Sequence, residues 1–95
     1  MTTQPELQVR HKPERHMFEL ETEGHSGRIT YQRRGNVIDL QHTVVSPALE
    51  GRRIAGKLAA FALDYARAEH LRVIPSCPYV HAYIERHPQY ADLVG

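Results

Sequence analysis

Apolar and polar residues alternate from Phe18 to Thr22, with Phe18, Leu20 and Thr22 on one side and Glu19 and Glu21 on the other, which is the period of a half-buried strand. The stretch Glu23-Gly24-His25-Ser26-Gly27 predicts a turn. Alternation resumes with Ile29, Tyr31 and Arg33 set against Arg28, Thr30 and Gln32, until Arg34-Gly35-Asn36 supplies the residues of a tight connection, so an antiparallel hairpin is expected. From Val37 to Val45 the period is again two: Ile38, Leu40, His42 and Val44 are predicted on one face, Asp39, Gln41 and Thr43 on the other. This segment is expected to be the longest strand.

The period then changes. Ile54, Leu58, Phe61, Ala62, Tyr65 and Ala66 recur at three- and four-residue spacing through an alanine-rich stretch that ends near His70, which predicts a helix. Ser46-Pro47, just ahead of it, ends the strand and predicts a short, sharp connection. Leu71-Arg72-Val73-Ile74-Pro75 reads as a further strand, and a strand reached through a helix is most economically parallel to the one before it, giving a βαβ crossover. Val80, Tyr83, Ile84 and His87 share a helical face, with Pro78 suited to the first turn and Pro88 closing a second, short helix. Residues 1–7 read as a loose start, and the whole of 1–95 as one α/β (α+β) domain.

Composition narrows the function classes. Hydrophobic residues at 41% and charged residues at 24% are the balance of a globular domain, which excludes a disordered or coiled-coil chain. A net charge of +1 is too small for a phosphate-tracking nucleic-acid binder, and no aromatic residues interleave with Arg33-Arg34 to stack single-stranded bases. The one cysteine, Cys77, excludes an internal disulfide and a multi-cysteine zinc site, and favours a reducing compartment. Met1–Gln8 lacks the apolar core of a signal peptide, and the longest apolar run, Leu58–Leu63, falls far short of the roughly 20 residues of a membrane span. A soluble cytoplasmic protein is expected. Seven histidines invite a metal reading, but His81 and His87 are six apart, unlike the four-residue spacing of helical zinc ligands, so no metal site is predicted.

The strand-to-helix segment from Val45 to Gly56 carries candidate chemistry. Free N–H groups at a helix start and the positive end of its dipole suit an anion, Gly51 and Gly56 permit close approach, and Arg52 and Arg53 add charge at an end where the dipole alone disfavours cations. A pyrophosphate fits that description. So does an ordinary helix start with Glu50 answering the dipole and two solvated arginines, and spacing by itself does not choose.

The segment resembles the acyl-CoA-binding motif of the GNAT superfamily of N-acetyltransferases, in which Gln or Arg, two variable residues, Gly, one more residue and Gly or Ala follow a strand and a proline; here the window is Glu50 to Ala55. Glu50 stands in the place of the usual Gln or Arg, and Arg53 in that of the central Gly. The downstream text, Val73-Ile74-Pro75-Ser76-Cys77-Pro78-Tyr79-Val80 and Tyr83-Ile84-Glu85-Arg86-His87-Pro88-Gln89-Tyr90, together with His42-Thr43, resembles the small single-domain, YjdJ-like branch, and the likeness runs over about residues 16 to 94.

The resemblance implies a shortened GNAT fold: a mostly antiparallel sheet ending in a parallel pair that splays apart, two helices, and acetyl-CoA as co-substrate with its pantetheine arm in the gap. It implies that Val44 and Val45 offer backbone groups to that arm, and that Glu50, Gly51, Arg52, Arg53, Ile54, Ala55 and Gly56 hold the pyrophosphate. Tyr83 matches the tyrosine that protonates the departing thiolate in many of these enzymes, a task suited to a phenol; without the resemblance it reads as a core tyrosine on an apolar stripe. Cys77, at a helix start, is either a reactive thiol that accepts an acetyl group or a small buried hydrophobe. His42 is a hydrogen-bonded core residue or a general base, and Val44 occupies the position where the related pattern often has Glu. The expected function is transfer of an acetyl group from acetyl-CoA to a primary amine of a small molecule or a protein lysine. The alternative is a CoA-binding or protein-interaction module with little turnover, favoured by Glu50, Arg53 and Val44.

Overall fold

A computed structural model describes residues 8–95; the loose start expected over residues 1–7 lies outside them. Among the described residues, five strands form one sheet in sequence order: β1 (Val9–Lys12), β2 (Met17–Thr22), β3 (His25–Arg34), β4 (Val37–Val45) and β5 (Arg72–Ile74). The first four run antiparallel to their neighbours, and β5 is parallel to β4. Helix α1 (Ile54–Ala68) makes the crossover between β4 and β5, and α2 (Pro78–Arg86) follows β5 with Pro78 in its first turn. This is the mixed α+β architecture, antiparallel with a terminal parallel pair, that the periodicity predicts.

One face of the sheet carries the core. Phe18, Leu20, Ile29, Ile38 and Leu40 meet Ile54, Leu58, Ala59, Ala62, Leu63 and Ala66 of α1, and Val80 and Ile84 of α2 complete the layer. The alanines let the α1 backbone approach the sheet closely. The other face presents Arg10, Lys12, Glu19, Glu21, Arg28, Gln32 and Asp39, polar residues that need no cover.

Four expectations are corrected. β1 and the 3-10 turn Pro13–Arg15 were not anticipated, because four residues are too few to show a period; β1 is fixed by pairing, with Val9 opposite Leu20 and His11 opposite Phe18. The predicted turn shrinks to Glu23-Gly24, and β3 starts at His25, making it, at 10 residues, longer than the 9 of β4. Gly27 is therefore a packing glycine: a Cβ there would lie 3.0 Å from Ile54 Cγ2 and 3.2 Å from Val45 Cγ2, close enough that both side chains would have to shift.

The third correction concerns faces. Thr30 pairs with His42 but Tyr31 with Leu40, so Gln41 is the extra residue of a β-bulge. Beyond it the period slips by one. Thr43 and Val45 turn toward the helices, whereas His42 and Val44, 47% exposed, turn to the open face, opposite to the expectation. Finally, the link from β4 to α1 is eight residues, 46–53, and includes the 3-10 turn Pro47–Leu49; α1 begins only at Ile54, so Glu50 is not in its first turn and cannot answer its dipole.

Candidate functional site

β4 and β5 pair at Val37–Arg72, Ile38–Val73 and Asp39–Ile74, and then part. Pro75 has no N–H to continue the ladder. The fork is held by Ser76 Oγ, which donates to Asp39 Oδ1 at 2.6 Å, and by the Cys77 N–H, which donates to Leu40 O at 2.9 Å. Past that point β4 has β3 on one side alone. The Ser46 N–H donates to Ser26 O at 2.9 Å, and alternation along the antiparallel ladder then gives His42 and Val44 backbone bonds to β3 and turns the N–H and C=O of Thr43 and Val45 toward the gap. Of the two valines expected to offer backbone groups, Val45 turns its own toward the gap, as Thr43 does, and Val44 pairs with β3.

Cys77, 4% exposed, closes the bottom of this gap. Its sulfur lies 3.2 Å from Thr43 Oγ1. Burial pushes the thiol up, but the Thr43 hydroxyl and the backbone N–H groups of Val80, Tyr79 and Thr43 outweigh it, so the thiol is held below its ordinary value.

The link to α1 ends with Gly51 at φ +83° and Arg53 in the left-handed region, at φ 60° and ψ 28°. Arg53 is the N-cap of α1, no side chain caps the helix, and the first helical bond runs from the Lys57 N–H to Arg53 O at 3.2 Å. The N–H groups of Ile54, Ala55 and Gly56 therefore have no partner within the helix. The Ile54 side chain is buried in the core, so that residue contributes only its amide.

Between this helix start and α2 lies an open cleft of about 800 Å³, lined by Arg52, Arg53, Gly56, Lys57, Ala60, Tyr79, Ala82, Tyr83, Arg86 and His87. Four of these are cations and none is an acid. Arg52 also pairs with Glu23, at the turn between β2 and β3. Gly56 opens the cleft opposite the tyrosines: a Cβ there would stand 3.6 Å from Tyr79 Oη and 3.8 Å from Tyr83 Cε2, filling space rather than clashing. Tyr83 is half-buried, its ring stacked on His87 with centroids 3.9 Å apart. Burial, then Tyr79 and Asp64, push its phenol above its usual value, and burial does the same to Tyr79.

The cleft thus brings together Arg52, Arg53, Gly56 and Tyr83 of the expected site, with the Ala55 amide beside them. Cys77 is buried in the core and does not line it, Glu50 and Gly51 are exposed in the link, and His42 and Val44 are on the far face of the sheet. Lys57, Tyr79, Arg86 and His87 were missed. Helical spacing held the signal: Lys57 is four residues after Arg53, while Tyr79, Arg86 and His87 stand four before, three after and four after Tyr83.

The uncapped helix start and the four cations suit an anion, and a phenol lies in the same cleft. The profile of the family described as GCN5-related N-acetyl-transferase matches residues 17–93. Protein NATD1 of Danio rerio is 33% identical over 93 residues, covering 93% of this chain and 84% of its own, and Protein NATD1 of Gallus gallus is 36% identical over 85 residues, covering 86% and 77%. The NMR solution structure of a GCN5-like protein from Staphylococcus aureus superimposes with a TM-score of 0.73 at 27% identity, over 94% of this chain and 88% of that one. These matches speak to the superfamily and not to the YjdJ-like branch within it. With the forked parallel pair, the bulged β4 and the uncapped α1 on one chain, the protein belongs to the GCN5-related N-acetyltransferase family.

Proposed function

We propose that the protein binds acetyl-CoA in the cleft between α1 and α2 and transfers the acetyl group to a primary amine. The observation that carries this reading is the convergence of the uncapped start of α1, four cations and Tyr83 on one cleft between α1 and α2. The amides of Ile54, Ala55 and Gly56, with Arg53 and Lys57, would hold the diphosphate, and the Thr43 carbonyl with the peptide groups of Val45 would align the pantetheine amides. Acetyl-CoA supplies the activated acyl group. The Val45 N–H, turned to the gap from the edge of β4, would favour charge that develops on the carbonyl oxygen as the amine attacks. Tyr83 Oη keeps its proton at neutral pH and delivers it to the departing thiolate. His42 turns to the open face and Asp39 Oδ1 is engaged by Ser76, so the amine proton would leave through water.

The alternative of a binding module without turnover draws on the same geometry: Arg53 carries a side chain where the backbone must approach phosphate, and His42 faces away. Calorimetric titration with CoA tests the shared part, and release of free thiol from acetyl-CoA in the presence of polyamines and lysine peptides tests transfer. Thiol release that depends on the amine supports the enzyme. CoA binding without release supports a CoA-binding module, and absence of binding overturns the enzyme and leaves a protein-interaction module.

A further inference from the structure

The turn between β2 and β3 breaks a local rule. Thr22 pairs with His25, which leaves Glu23 and Gly24 as a two-residue connection, and both have positive φ, at 53° and 77°. Such a turn favours Asn, Asp or Gly at its first central position, and a longer side chain is strained there. Glu23 is nevertheless the residue by which the turn meets the cleft, because its carboxylate pairs with the Arg52 guanidinium. The same hairpin holds the other end of the link, where the Ser46 N–H donates to Ser26 O at 2.9 Å.

Arg52 is one of the four cations that line the cleft. Among the described residues, Arg53, Lys57 and Arg86 form no ion pair, so Glu23 is the one acid joined to a cleft cation. The pair stands in solvent, with the Arg52 side chain 48% exposed and that of Glu23 58%. An ion pair so placed is weak and opens readily. A phosphate offers the guanidinium the same two-pronged partner, and it needs no strained turn to present it.

Resting on the cofactor reading above, we propose that Glu23 competes with the cofactor's phosphates for Arg52: it occupies the guanidinium in the free protein and gives it up when the cofactor binds, which sets the affinity of the cleft below what its cations alone would reach. The carboxylate acts through Arg52 and is a positioning residue.

Calorimetric titration of the whole chain with CoA at low salt reads the exchange. Glu23→Asn deletes the carboxylate and gives the turn a residue that suits it, so the melting temperature should hold or rise while CoA affinity rises about 2- to 5-fold, a gain that shrinks as salt is added. Glu23→Gln, close in shape to the original, should give the same gain in affinity. A carboxylate that only shaped the turn would not move affinity upward. Arg52→Gln should weaken binding, and adding Glu23→Asn to it should bring no further gain. Affinity that stays level or falls in both Glu23 variants overturns the competition. So does a gain that persists beside Arg52→Gln, since Glu23 would then repel the ligand without Arg52. Either result leaves the cofactor reading standing, whereas no binding by the unaltered protein or by any variant removes that reading and the competition with it.

Discussion

The Thr43 hydroxyl stands 3.2 Å from the Cys77 sulfur, across the fork where β4 and β5 part, and so joins the bulged strand to the start of α2. Hydrogen bonds here hold the thiol below its ordinary value against burial, because they stabilise the thiolate. Thr43→Val keeps the shape and removes the hydroxyl. Ultraviolet titration of the thiolate should show its midpoint rise, and alkylation by a small reagent at neutral pH should slow about 2- to 10-fold, the worth of one hydrogen bond. The lowered thiol contributes stability above the unfolded-state value and loses it as pH falls through the folded one.

Tyr83→Phe should leave CoA affinity within about twofold and lower kcat by about 100-fold, because only the proton is removed. Cys77→Ala should retain turnover if transfer is direct; a collapse there, with activity surviving in Tyr83→Phe, would point to an acyl-cysteine route. Since the phenol is raised, the alkaline limb of the rate profile should fall above pH 10, where the acid loses its proton.

Gly56→Ala separates fold from site. In the first turn of α1 the change should raise stability by about 0.5–1 kcal/mol, because alanine loses less freedom on folding. The added Cβ occupies the cleft opposite Tyr79 and Tyr83, and CoA affinity should fall, with crowding of about 1–3 kcal/mol. Thermal melts and calorimetry on one sample read both, and unchanged affinity would place the ligand elsewhere.

Arg53 is a charged residue in a left-handed conformation, which costs about 1–2 kcal/mol and favours glycine. Arg53→Gly should hold or slightly raise the melting temperature while weakening CoA binding and flattening its dependence on salt. Affinity that rises instead would mean the side chain obstructs the phosphates.

Tyr90 donates to Asp64 Oδ1 at 2.8 Å and ties the C-terminal segment to α1. Burial, then this bond, push its phenol up to about 12. A raised folded-state value means the contribution is complete below pH 10 and is lost as pH climbs through about 12. Tyr90→Phe should cost about 1–2 kcal/mol in urea unfolding at pH 8, and the gap from the unaltered protein should narrow toward pH 12.

The strands β2 to β4, the long helix and the parallel return of β5 could be read from the chain because burial on one face imposes a period on the residues themselves. Short β1 could not, since its place depends on the partner Val9 and His11 find in β2. Gly27 misled for a similar reason: its missing Cβ answers to Ile54 and Val45, both distant in sequence.

For the site, the chain's own text supplied the residue types at the helix start, along with Tyr83 and Cys77, and the resemblance gave them roles. The bulge at Gln41 was invisible, because one unpaired residue leaves no mark in composition and yet exchanges His42 and Val44 for Thr43 and Val45 at the gap. Sequence alone determined which segments form elements, because hydrophobic period is a local property. Only the tertiary structure decided which side chains meet, gathering Lys57, Arg86 and His87 beside Arg53, because the docking of α2 against α1 is fixed by packing between residues far apart along the chain.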